Sequence, residues 1–237
     1  MVYCFKYDRL RIFSPNIKNT GLNFNYSRFE EEFFRSIWEC IFERVYFSKD
    51  VNINIGDIVF DTGAAVGTFS IVAAKLTGDK GIVYAFEPTD DTFGALKMNV
   101  ETNKINNIIP FKEGVANEDK FLCFDERKEA FTTNRIIDDV KINNSINSGK
   151  KKIKVVSLDS FVGTNNIKRV DFVKIDVEGY ALEVIQGAED LLRRFKPKLA
   201  IACYHRREND KEICQILMNS NDKYRVIGIK NGILFAK

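Results

Sequence analysis

The sequence predicts a single α/β domain whose sheet is mostly parallel. Strand-like and helix-like segments alternate along the chain, and the strand-like segments are continuous apolar runs, as expected for strands covered on both faces. The last segment differs, because the apolar runs 224–229 and 233–236 flank Asn231 and Gly232. This residue pair tolerates positive φ at both centres of a tight turn, so the chain ends in a predicted antiparallel hairpin.

The individual elements follow from the spacing of their apolar residues. Residues 29–45 place them at three- and four-residue steps, which predicts an amphipathic helix. Pro110 has no amide hydrogen to donate, so residues 108–111 are predicted as a weak strand at an edge. The other predicted elements are the buried strands 58–60, 82–86, 172–175 and 199–204 and the helices 67–76, 90–103 (opened by Thr89) and 181–194.

Residues 132–152 do not fit the alternation. This segment is polar, rich in Asn, Ser and Lys, and has few apolar residues that could anchor it to a core. We therefore expect a mobile surface insertion. It is either a solvated loop without a role in function or a lid over a substrate, since loops after sheet strands also serve as lids.

The composition narrows the classes of partner. The chain has 237 residues, 45% of them hydrophobic, and a net charge of +3, which favours neither nucleic acid nor an acidic membrane surface as partner. Lys6, Asp8 and Arg9 interrupt the first ten residues, and no apolar run is long enough to span a bilayer. We expect a cytoplasmic protein that binds neither nucleic acid nor membrane.

Cysteine and histidine content bears on metal chemistry. The five cysteines are odd in number and never spaced as CxxC, which favours neither a disulfide framework nor a structural zinc site. His205 is the only histidine, so chemistries that need two or three imidazoles from one chain are excluded. We expect no metal.

The loop after the first buried strand has the features of a small-molecule cradle. Gly63 allows a sharp turn, and Gly67 with the small Ala64 and Ala65 lets a ligand approach the backbone closely. The spacing DxGxxxG differs from the dinucleotide fingerprint GxGxxG, and Asp61 stands where a pyrophosphate would be repelled. The loop therefore favours a cationic cofactor.

A second carboxylate, Glu87, follows the strand 82–86. At the carboxyl end of an adjacent strand it can accept hydrogen bonds from both ribose hydroxyls of a nucleoside, and it would clash with a 2′-phosphate. Asp61, Gly63, Gly67 and Glu87 together predict S-adenosylmethionine as the cofactor. The alternative is that the glycines only permit tight strand-to-helix packing and that Glu87 caps the next helix.

Four ordered motifs resemble the FkbM-type methyltransferases, which depend on S-adenosylmethionine. They are DIVFDTGAAVGTFS at 57–70, VYAFEP at 83–88, VSLDSF at 156–161 and DFVKIDVEG at 171–179, continued by Gly187 and Ala188. The resemblance implies a Rossmann-like fold with a mostly parallel seven-stranded sheet, and methylation of a hydroxyl group on a sugar or small metabolite. With it, we expect an N-terminal helical cap segment at 1–49 and a methyltransferase domain at 50–237.

Methyl transfer to a hydroxyl requires alignment of the acceptor and removal of its proton. Ligands of open α/β sheets bind outside the carboxyl ends of the strands, where Asp176, Glu178 and His205 fall. Asp176 either orients the sulfonium end or the acceptor, or caps the next helix. Glu178 is an acid or base, or else compensates a helix dipole. His205 is a candidate base or a structural residue.

The predicted cofactor site includes residues from the motif loops as well as the two carboxylates. Two other functions stay open. A nicotinamide oxidoreductase would share the fold, although GxGxxG and a Tyr–Lys catalytic pair are missing, and a noncatalytic module would bind the nucleoside without transferring a methyl group. The full set of predicted cofactor-binding residues is Asp61, Gly63, Ala64, Ala65, Gly67, Phe69, Glu87, Pro88 and Asp176.

Overall fold

The computed structural model describes residues 4–7, 10–13, 38–125, 135–137, 150–203, 209–221 and 224–237. Strands and helices alternate through most of these ranges. In chain order the elements are β1 (Cys4–Tyr7), β2 (Leu10–Phe13), a π-helical turn (Trp38–Glu43), β3 (Ile58–Thr62), α1 (Thr68–Thr77), a 3-10 turn (Gly78–Lys80), β4 (Ile82–Phe86), α2 (Asp90–Thr102), β5 (Ile108–Phe111), β6 (Gly114–Val115), β7 (Lys120–Asp125), β8 (Arg135–Ile137), β9 (Lys150–Val156), α3 (Leu158–Thr164), β10 (Phe172–Ile175), α4 (Ala181–Gln186), α5 (Glu189–Phe195), β11 (Lys198–Ala202), α6 (Asp210–Ser220), β12 (Val226–Lys230) and β13 (Ile233–Ala236).

Within the described ranges, the main sheet has seven strands in the order β12-β13-β11-β10-β3-β4-β5. The five strands from β11 to β5 are parallel to one another. β13 pairs antiparallel with β11, and β12 pairs antiparallel with β13. The sequence prediction of a mostly parallel seven-stranded sheet with a C-terminal hairpin is therefore confirmed. Because β3 lies between β10 and β4, the residues that follow these three strands meet at one edge of the sheet.

The terminal hairpin and the edge strand follow the sequence prediction closely. Asn231 and Gly232 have φ values of 52° and 75°, so both centres of the turn are left-handed as their residue types allow. β5, which contains Pro110, is the outer strand on the other side of the sheet. The missing amide hydrogen of Pro110 therefore leaves no gap inside the hydrogen-bonded ladder.

Two apolar clusters cover the two faces of the main sheet. On one face Phe60, Phe86 and Phe161 pack edge to face, with ring centroids 4.8 to 5.8 Å apart. On the other face Phe69 stacks on Phe172 at 6.1 Å. Full burial of such side chains stabilises the fold by roughly 1.5–3 kcal/mol each. The helices on both faces leave only the strand ends open to a ligand.

A second sheet contains the two described parts of the predicted mobile insertion at 132–152, which are residues 135–137 and 150–152, and the rest of that segment lies outside the described residues. The described part of this region contains β8 and the start of β9, which belong to a four-stranded sheet in the order β6-β9-β7-β8. Along β9, Ile153 and Val155 are buried whereas Lys152 and Lys154 are exposed. This alternation is that of a half-buried strand, and the lysines on its outer face make the segment look like a solvated loop.

The inner face of the second sheet covers the loop that follows β10. Leu122, Ile153 and Val155 form one cluster with Tyr180, and Val177 packs against it. The sheet therefore shapes the surroundings of the predicted reacting side, although its strands were not predicted.

The predicted helix 181–194 is two helices, α4 and α5. A Cβ at Gly187, the residue after α4, would lie 2.3 Å from the carbonyl oxygen of Ala116, so this position has no room for a side chain. The carboxylate of Asp159 then accepts hydrogen bonds from the amides of Asp190 and Leu191 and holds the start of α5. The interruption thus depends on tertiary contacts.

The first 49 residues are described only in part. Residues 4–13 contain the hairpin β1–β2 rather than a helix, and of the predicted helix 29–45 the structure describes the helical turn Trp38–Glu43. The domain boundary at residue 50 stays a prediction. Residues 14–37, 126–134, 138–149 and 204–208 lie outside the described ranges, so β11 is described to Ala202 and the predicted end of that strand is not.

Candidate methyl-transfer site

The loop from β3 to α1 is held between the ends of two neighbouring strands. The amides of Gly63 and Ala64 both donate to the carbonyl oxygen of Phe86, at 3.1 and 2.9 Å. On the other side, a Cβ at Gly63 would lie 1.9 Å from the carbonyl oxygen of Asp176. Gly63 also has a φ of 75°, a left-handed conformation that suits glycine. Packing against β10 therefore requires this glycine.

Gly67 allows close helix packing. A Cβ there would lie 2.4 Å from Cδ1 of Leu96 on α2, and the residue is buried with a φ of 88°. The sequence prediction gave Gly67 the role of admitting a ligand. A side chain at Gly67 would meet Leu96, which agrees with the alternative of tight packing, and a ligand contact at this glycine stays a prediction.

Glu87 joins the loop to the start of α2. Its Oε2 atom accepts from the Ala65 amide at 3.0 Å, and its Oε1 atom accepts from the Thr89 amide and hydroxyl and from the Thr92 hydroxyl at 2.6 to 3.0 Å. Only 7% of the residue is exposed. Thr89 occupies the N-cap position, but its side chain makes no capping bond and binds Glu87 instead. The Glu87 side chain therefore binds both the loop after β3 and the start of α2.

Asp61 lies beneath the loop as part of a buried ion pair. Its Oδ1 atom is 3.0 Å from Nζ of Lys174, and the Ser70 hydroxyl donates to Oδ2 at 2.5 Å. Asp61 is fully buried and Lys174 is 4% exposed. The sequence predicted that Asp61 contacts the cationic cofactor directly. In the structure its carboxylate instead faces Lys174 and Ser70.

Lys174 connects this pair to the loop backbone. Its ammonium donates to the carbonyl oxygen of Gly63 at 2.7 Å. Burial lowers the pKa of Lys174, but the negative charges of Asp61 and Asp176 outweigh that effect and hold the pKa above its ordinary value. Lys174 is therefore protonated at neutral pH.

Asp176 lies at the reacting end of the loop. The hydroxyl of Tyr46 donates to its Oδ2 atom at 2.5 Å, and its amide donates to the carbonyl oxygen of Thr62 at 3.1 Å. The next helix, α4, begins at Ala181 with Tyr180 as its N-cap, so the alternative that Asp176 caps this helix is wrong. Its carboxylate is partly exposed beside the loop.

Glu178 occupies a tight turn after β10. Its φ is 51° and that of Gly179 is 91°, so both residues are left-handed. For a residue with a Cβ this conformation costs about 1 kcal/mol. The turn precedes α4 instead of forming its first turn, where the acidic residue is Glu183. Glu178 therefore lies outside the first turn of α4, and its role stays a prediction. His205, the third catalytic candidate, lies outside the described residues.

The predicted cofactor residues separate into two layers. Gly63, Ala65, Pro88 and Asp176 keep part of their surface exposed, whereas Ala64 and Phe69 are buried like Asp61 and Gly67. The Phe69 ring stacks on Phe47 at 5.7 Å as well as on Phe172, which makes it a core residue. The buried layer supports the loop, and the partly exposed layer is the one a ligand can reach. Glu87 belongs to the buried layer with 7% exposure, but it binds the partly exposed Ala65 and adjoins Pro88.

Sequence reasoning missed Lys174, Tyr46 and Cys40. A lysine inside the apolar run 172–175 was the available signal, because a buried charge requires a partner. Tyr46 gave no signal, since its partner Asp176 is 130 positions away. Burial raises the pKa of Cys40 to about 12, against the opposing charge of Lys174, so this thiol is neutral beside the ion pair.

The described ranges offer neither a metal-binding cluster nor a membrane-spanning helix. Among these residues, no group of three or more His, Cys, Asp or Glu side chains is placed to hold a metal ion. Within the same part of the chain, no helix has both the length and the apolar character needed to cross a membrane.

Comparison with known proteins identifies the class of this fold. The methyltransferase FkbM from Methylobacillus flagellatus KT matches with a TM-score of 0.60 and 19% identity over 81% of this chain and 47% of that one. A SAM-dependent methyltransferase from Aquifex aeolicus matches with a TM-score of 0.50 and 18% identity over 89% of this chain and 96% of the other. The fold is that of the Rossmann-like methyltransferases.

The sequence places the chain within one family of that class. Residues 61–226 match the model of the methyltransferase FkbM domain, and because this is most of the chain, the chain belongs to the FkbM methyltransferase family. The hexuronic acid methyltransferase AglP of Haloferax volcanii is 26% identical over 161 residues, which are 68% of this chain and 61% of AglP. The 31-O-demethyl-FK506 methyltransferase FkbM of Streptomyces tacrolimicus is 25% identical over 175 residues, 64% of this chain and 67% of that protein. The match thus spans about three fifths of AglP.

Proposed function

We propose that this chain is an S-adenosylmethionine-dependent O-methyltransferase that acts on a hydroxyl group of a sugar or other small metabolite. One observation carries the proposal. The loop after β3 is bonded to the end of β4 and packed against Asp176 after β10, so Glu87 and Asp176 flank the same short loop. A nucleoside then lies towards Glu87, and the reacting atoms lie towards Asp176.

The residues present fit this cofactor in charge. Lys174 balances one of the two carboxylates of Asp61 and Asp176, so the group of three carries one net negative charge beside the loop. Such a group favours a cationic ligand and opposes a pyrophosphate. The negative charge that Lys174 does not balance is on Asp176, which is also the more exposed of the two aspartates.

The residues also fit the nucleoside. Glu87 accepts hydrogen bonds from two threonine hydroxyls, and its carboxylate can accept in the same way from ribose hydroxyls. A 2′-phosphate at the same carboxylate would meet like charge, which argues against a phosphorylated nicotinamide cofactor. In this arrangement Ala65 and Pro88 border the nucleoside because both remain partly exposed.

The chemistry that S-adenosylmethionine supplies when bound is a methyl group on a sulfonium carbon, open to in-line displacement by an oxygen. The task of the chain is to align the acceptor hydroxyl and remove its proton. Asp176, held by Tyr46, accepts the hydrogen bond of this hydroxyl and fixes its direction. Glu178 and His205 are the candidates for taking the proton, as the sequence predicted.

The acceptor class is supported by two relatives. The name of AglP states that it methylates a hexuronic acid, and that of the Streptomyces FkbM protein implies an oxygen of a demethylated FK506. Both are oxygen-rich small molecules or glycan units. We therefore propose a small-molecule or glycan acceptor for this chain, and the absence of a strong basic charge is in keeping with that choice.

A labelled-donor screen tests the proposal. The purified chain is incubated with methyl-labelled S-adenosylmethionine and with hexuronic acids, neutral hexoses and small alcohols, and products are analysed by mass spectrometry. We expect an O-methyl product from at least one sugar, and none from the same reaction with Asp176→Asn. Transfer to nitrogen or carbon, or tight binding of NAD without binding of S-adenosylhomocysteine in calorimetry, would overturn the proposal.

A further inference from the structure

Lys174 is a charged residue in a strand that is otherwise apolar. Its β10 neighbours Val173 and Ile175 are almost fully buried, and Lys174 is itself 4% exposed. Its ammonium is shared between the Asp61 carboxylate at 3.0 Å and the Gly63 carbonyl oxygen at 2.7 Å. The lysine therefore links the floor of the site to the backbone of the loop above it.

Stability alone does not account for this lysine. Replacing a buried ion pair by apolar residues of similar volume is often neutral or stabilising, because the desolvation of both charges is avoided. The rings of Tyr46 and Phe69, at 5.3 and 5.8 Å from the ammonium, provide apolar surroundings in which such a replacement would pack. The ammonium does one thing that an apolar side chain cannot, which is to bind the Gly63 carbonyl.

That bond completes the fixation of one peptide group. The peptide between Gly63 and Ala64 donates its N–H to the Phe86 carbonyl at 2.9 Å, and its C=O accepts from Lys174. Both polar atoms of this peptide are thus bound by strands on opposite sides, β4 and β10. The loop is held in one orientation before any ligand arrives, which reduces the entropy lost on binding.

We propose that Lys174 is a positioning residue for the cofactor, which acts by fixing the Gly63–Ala64 peptide of the loop. The inference rests on the proposed function, since it assumes that this loop is where S-adenosylmethionine and its product bind. Asp61 then serves to keep Lys174 charged and in place. The pair is required for ligand binding more than for folding.

A double variant separates these two roles. Lys174→Met alone leaves the Asp61 carboxylate buried without its counter-charge and therefore unfolds more easily. Asp61→Asn/Lys174→Met removes both charges, and we expect its thermal unfolding temperature to return towards that of the wild type. Its affinity for S-adenosylhomocysteine, measured by calorimetry, is expected to stay about 10- to 100-fold weaker, because the charged hydrogen bond to the loop is lost.

A second pair of variants provides the matched control. Lys198 lies 3.7 Å from Asp57 and donates to the Asn52 carbonyl at 2.7 Å, so it also joins an aspartate to a backbone carbonyl, at the amino end of β11. Asp57→Asn/Lys198→Met is expected to bind S-adenosylhomocysteine as the wild type does. An equal loss of affinity in this control would show that the effect is not specific to the loop, and would overturn the inference.

A rescue variant adds a readout that a purely structural role would not change. In Asp61→Asn/Lys174→Gln the side-chain amide can still donate to the Gly63 carbonyl, so we expect affinity at least about threefold better than in the Met double variant. Equal affinity of the Gln and Met double variants would contradict the proposal.

If the Met double variant does not fold, Lys174→Arg replaces it, since this keeps the charge for Asp61 but not the donor geometry. About tenfold weaker binding is then expected, and unchanged binding overturns the proposal.

The outcomes distinguish this inference from the proposed function. If the wild type binds S-adenosylhomocysteine and a folded Asp61→Asn/Lys174→Met variant binds it equally well, Lys174 is structural and the proposed function stands. If the wild type does not bind S-adenosylhomocysteine, the proposed function fails and the inference fails with it.

Discussion

Asp61 and Glu87 are two carboxylates on adjacent strands that have different surroundings. Asp61 is fully buried and faces Lys174, a counter-charge fixed on the neighbouring strand β10. Glu87 retains 7% exposure, and its partners are two backbone amides and two threonine hydroxyls. Hydroxyl partners can be exchanged for those of a ligand, whereas a buried ammonium cannot leave without a large cost. The first carboxylate supports the loop, and the second is available for recognition.

The largest expected effect tests the supporting carboxylate. Lys174→Met leaves the charge of Asp61 uncompensated in the core, so the free energy of unfolding is expected to fall by about 3–5 kcal/mol. Urea unfolding measures this change. Lys198→Met, which breaks a pair whose side chains are 26% and 13% exposed, is expected to cost much less. A loss below about 1 kcal/mol in Lys174→Met would show that the Asp61–Lys174 pair does not hold the loop.

Glu87→Ala tests the recognising carboxylate. We expect its binding of S-adenosylhomocysteine to weaken by about 1.5–3 kcal/mol, because charged hydrogen bonds to the ribose are lost. Calorimetry measures the affinity. Asp90→Asn is the control, since Asp90 is exposed three positions away and pairs with Lys112, the residue after β5. If Glu87→Ala binds as tightly as the wild type, Glu87 serves only the start of α2.

Tyr46→Phe tests the reacting side of the same loop. The variant keeps the ring that packs edge to face on Phe69 at 5.4 Å but loses the hydroxyl bonded to Asp176. We expect kcat to fall about tenfold, equivalent to roughly 1.4 kcal/mol, with cofactor affinity nearly unchanged. Steady-state kinetics with the acceptor found by screening separates the two.

Tyr224→Phe is the matched control for that variant. Its hydroxyl also donates to an oxygen at 2.5 Å, but the acceptor is the Pro197 carbonyl, in the apolar cluster on the α4–α6 face of the sheet. A kcat equal to that of the wild type is expected. An unchanged kcat in Tyr46→Phe would mean that the hydroxyl does not position Asp176.

The last expected effect is a pH dependence of the free energy of unfolding, which reports whether water reaches the buried layer beneath the loop. Burial raises the pKa of Cys40 from 9.0 to about 12 in the folded chain. Above pH 9 the unfolded chain loses this proton before the folded chain does, so the free energy of unfolding falls as pH rises from 9 towards 12. The slope for one thiol is about 1.4 kcal/mol per pH unit. Cys40→Ala should flatten the decline by about this amount in urea unfolding at pH 8, 9 and 10, and an unaltered slope would mean that water reaches the thiol.

Local patterns were sufficient for the elements of the main sheet. β4 has the predicted bounds, because a continuous apolar run stands between Gly81 and Glu87 and both neighbours end it. The terminal hairpin was equally clear, since Asn231 and Gly232 define the turn by their own conformational preferences. In both cases the information lies within about ten residues of chain.

Features that depend on tertiary contact could not be predicted. β9 begins with three lysines and has Ile153, Val155 and Val156 as its apolar positions, and its strand character requires β7 as partner. At Gly187, where α4 ends, the chain passes too close to the Ala116 carbonyl to carry a Cβ. Neither neighbour can be deduced from local spacing. The single helix 181–194 was therefore predicted wrongly, and residues 135–137 and 150–152, the described parts of the predicted insertion, are strands.

The candidate site was predicted in its composition but not in its layering. The sequence singled out Asp61, Glu87 and Asp176 because each follows a buried strand. It could not show that Asp61 faces Lys174, since the pairing of β3 with β10 joins residues more than a hundred positions apart. A charged residue in a buried strand next to a predicted acidic site is the signal that would have indicated this pair.

A crystal structure of the chain with S-adenosylhomocysteine tests the division of labour between the two carboxylates most directly. We expect ribose hydroxyls within 3.2 Å of the Glu87 carboxylate, a distance typical of hydrogen bonds. Lys174 is expected to remain bonded to the Gly63 carbonyl, with no ligand atom in contact with Asp61. A ligand bound to Asp61, or bound away from this loop, would contradict this division of labour.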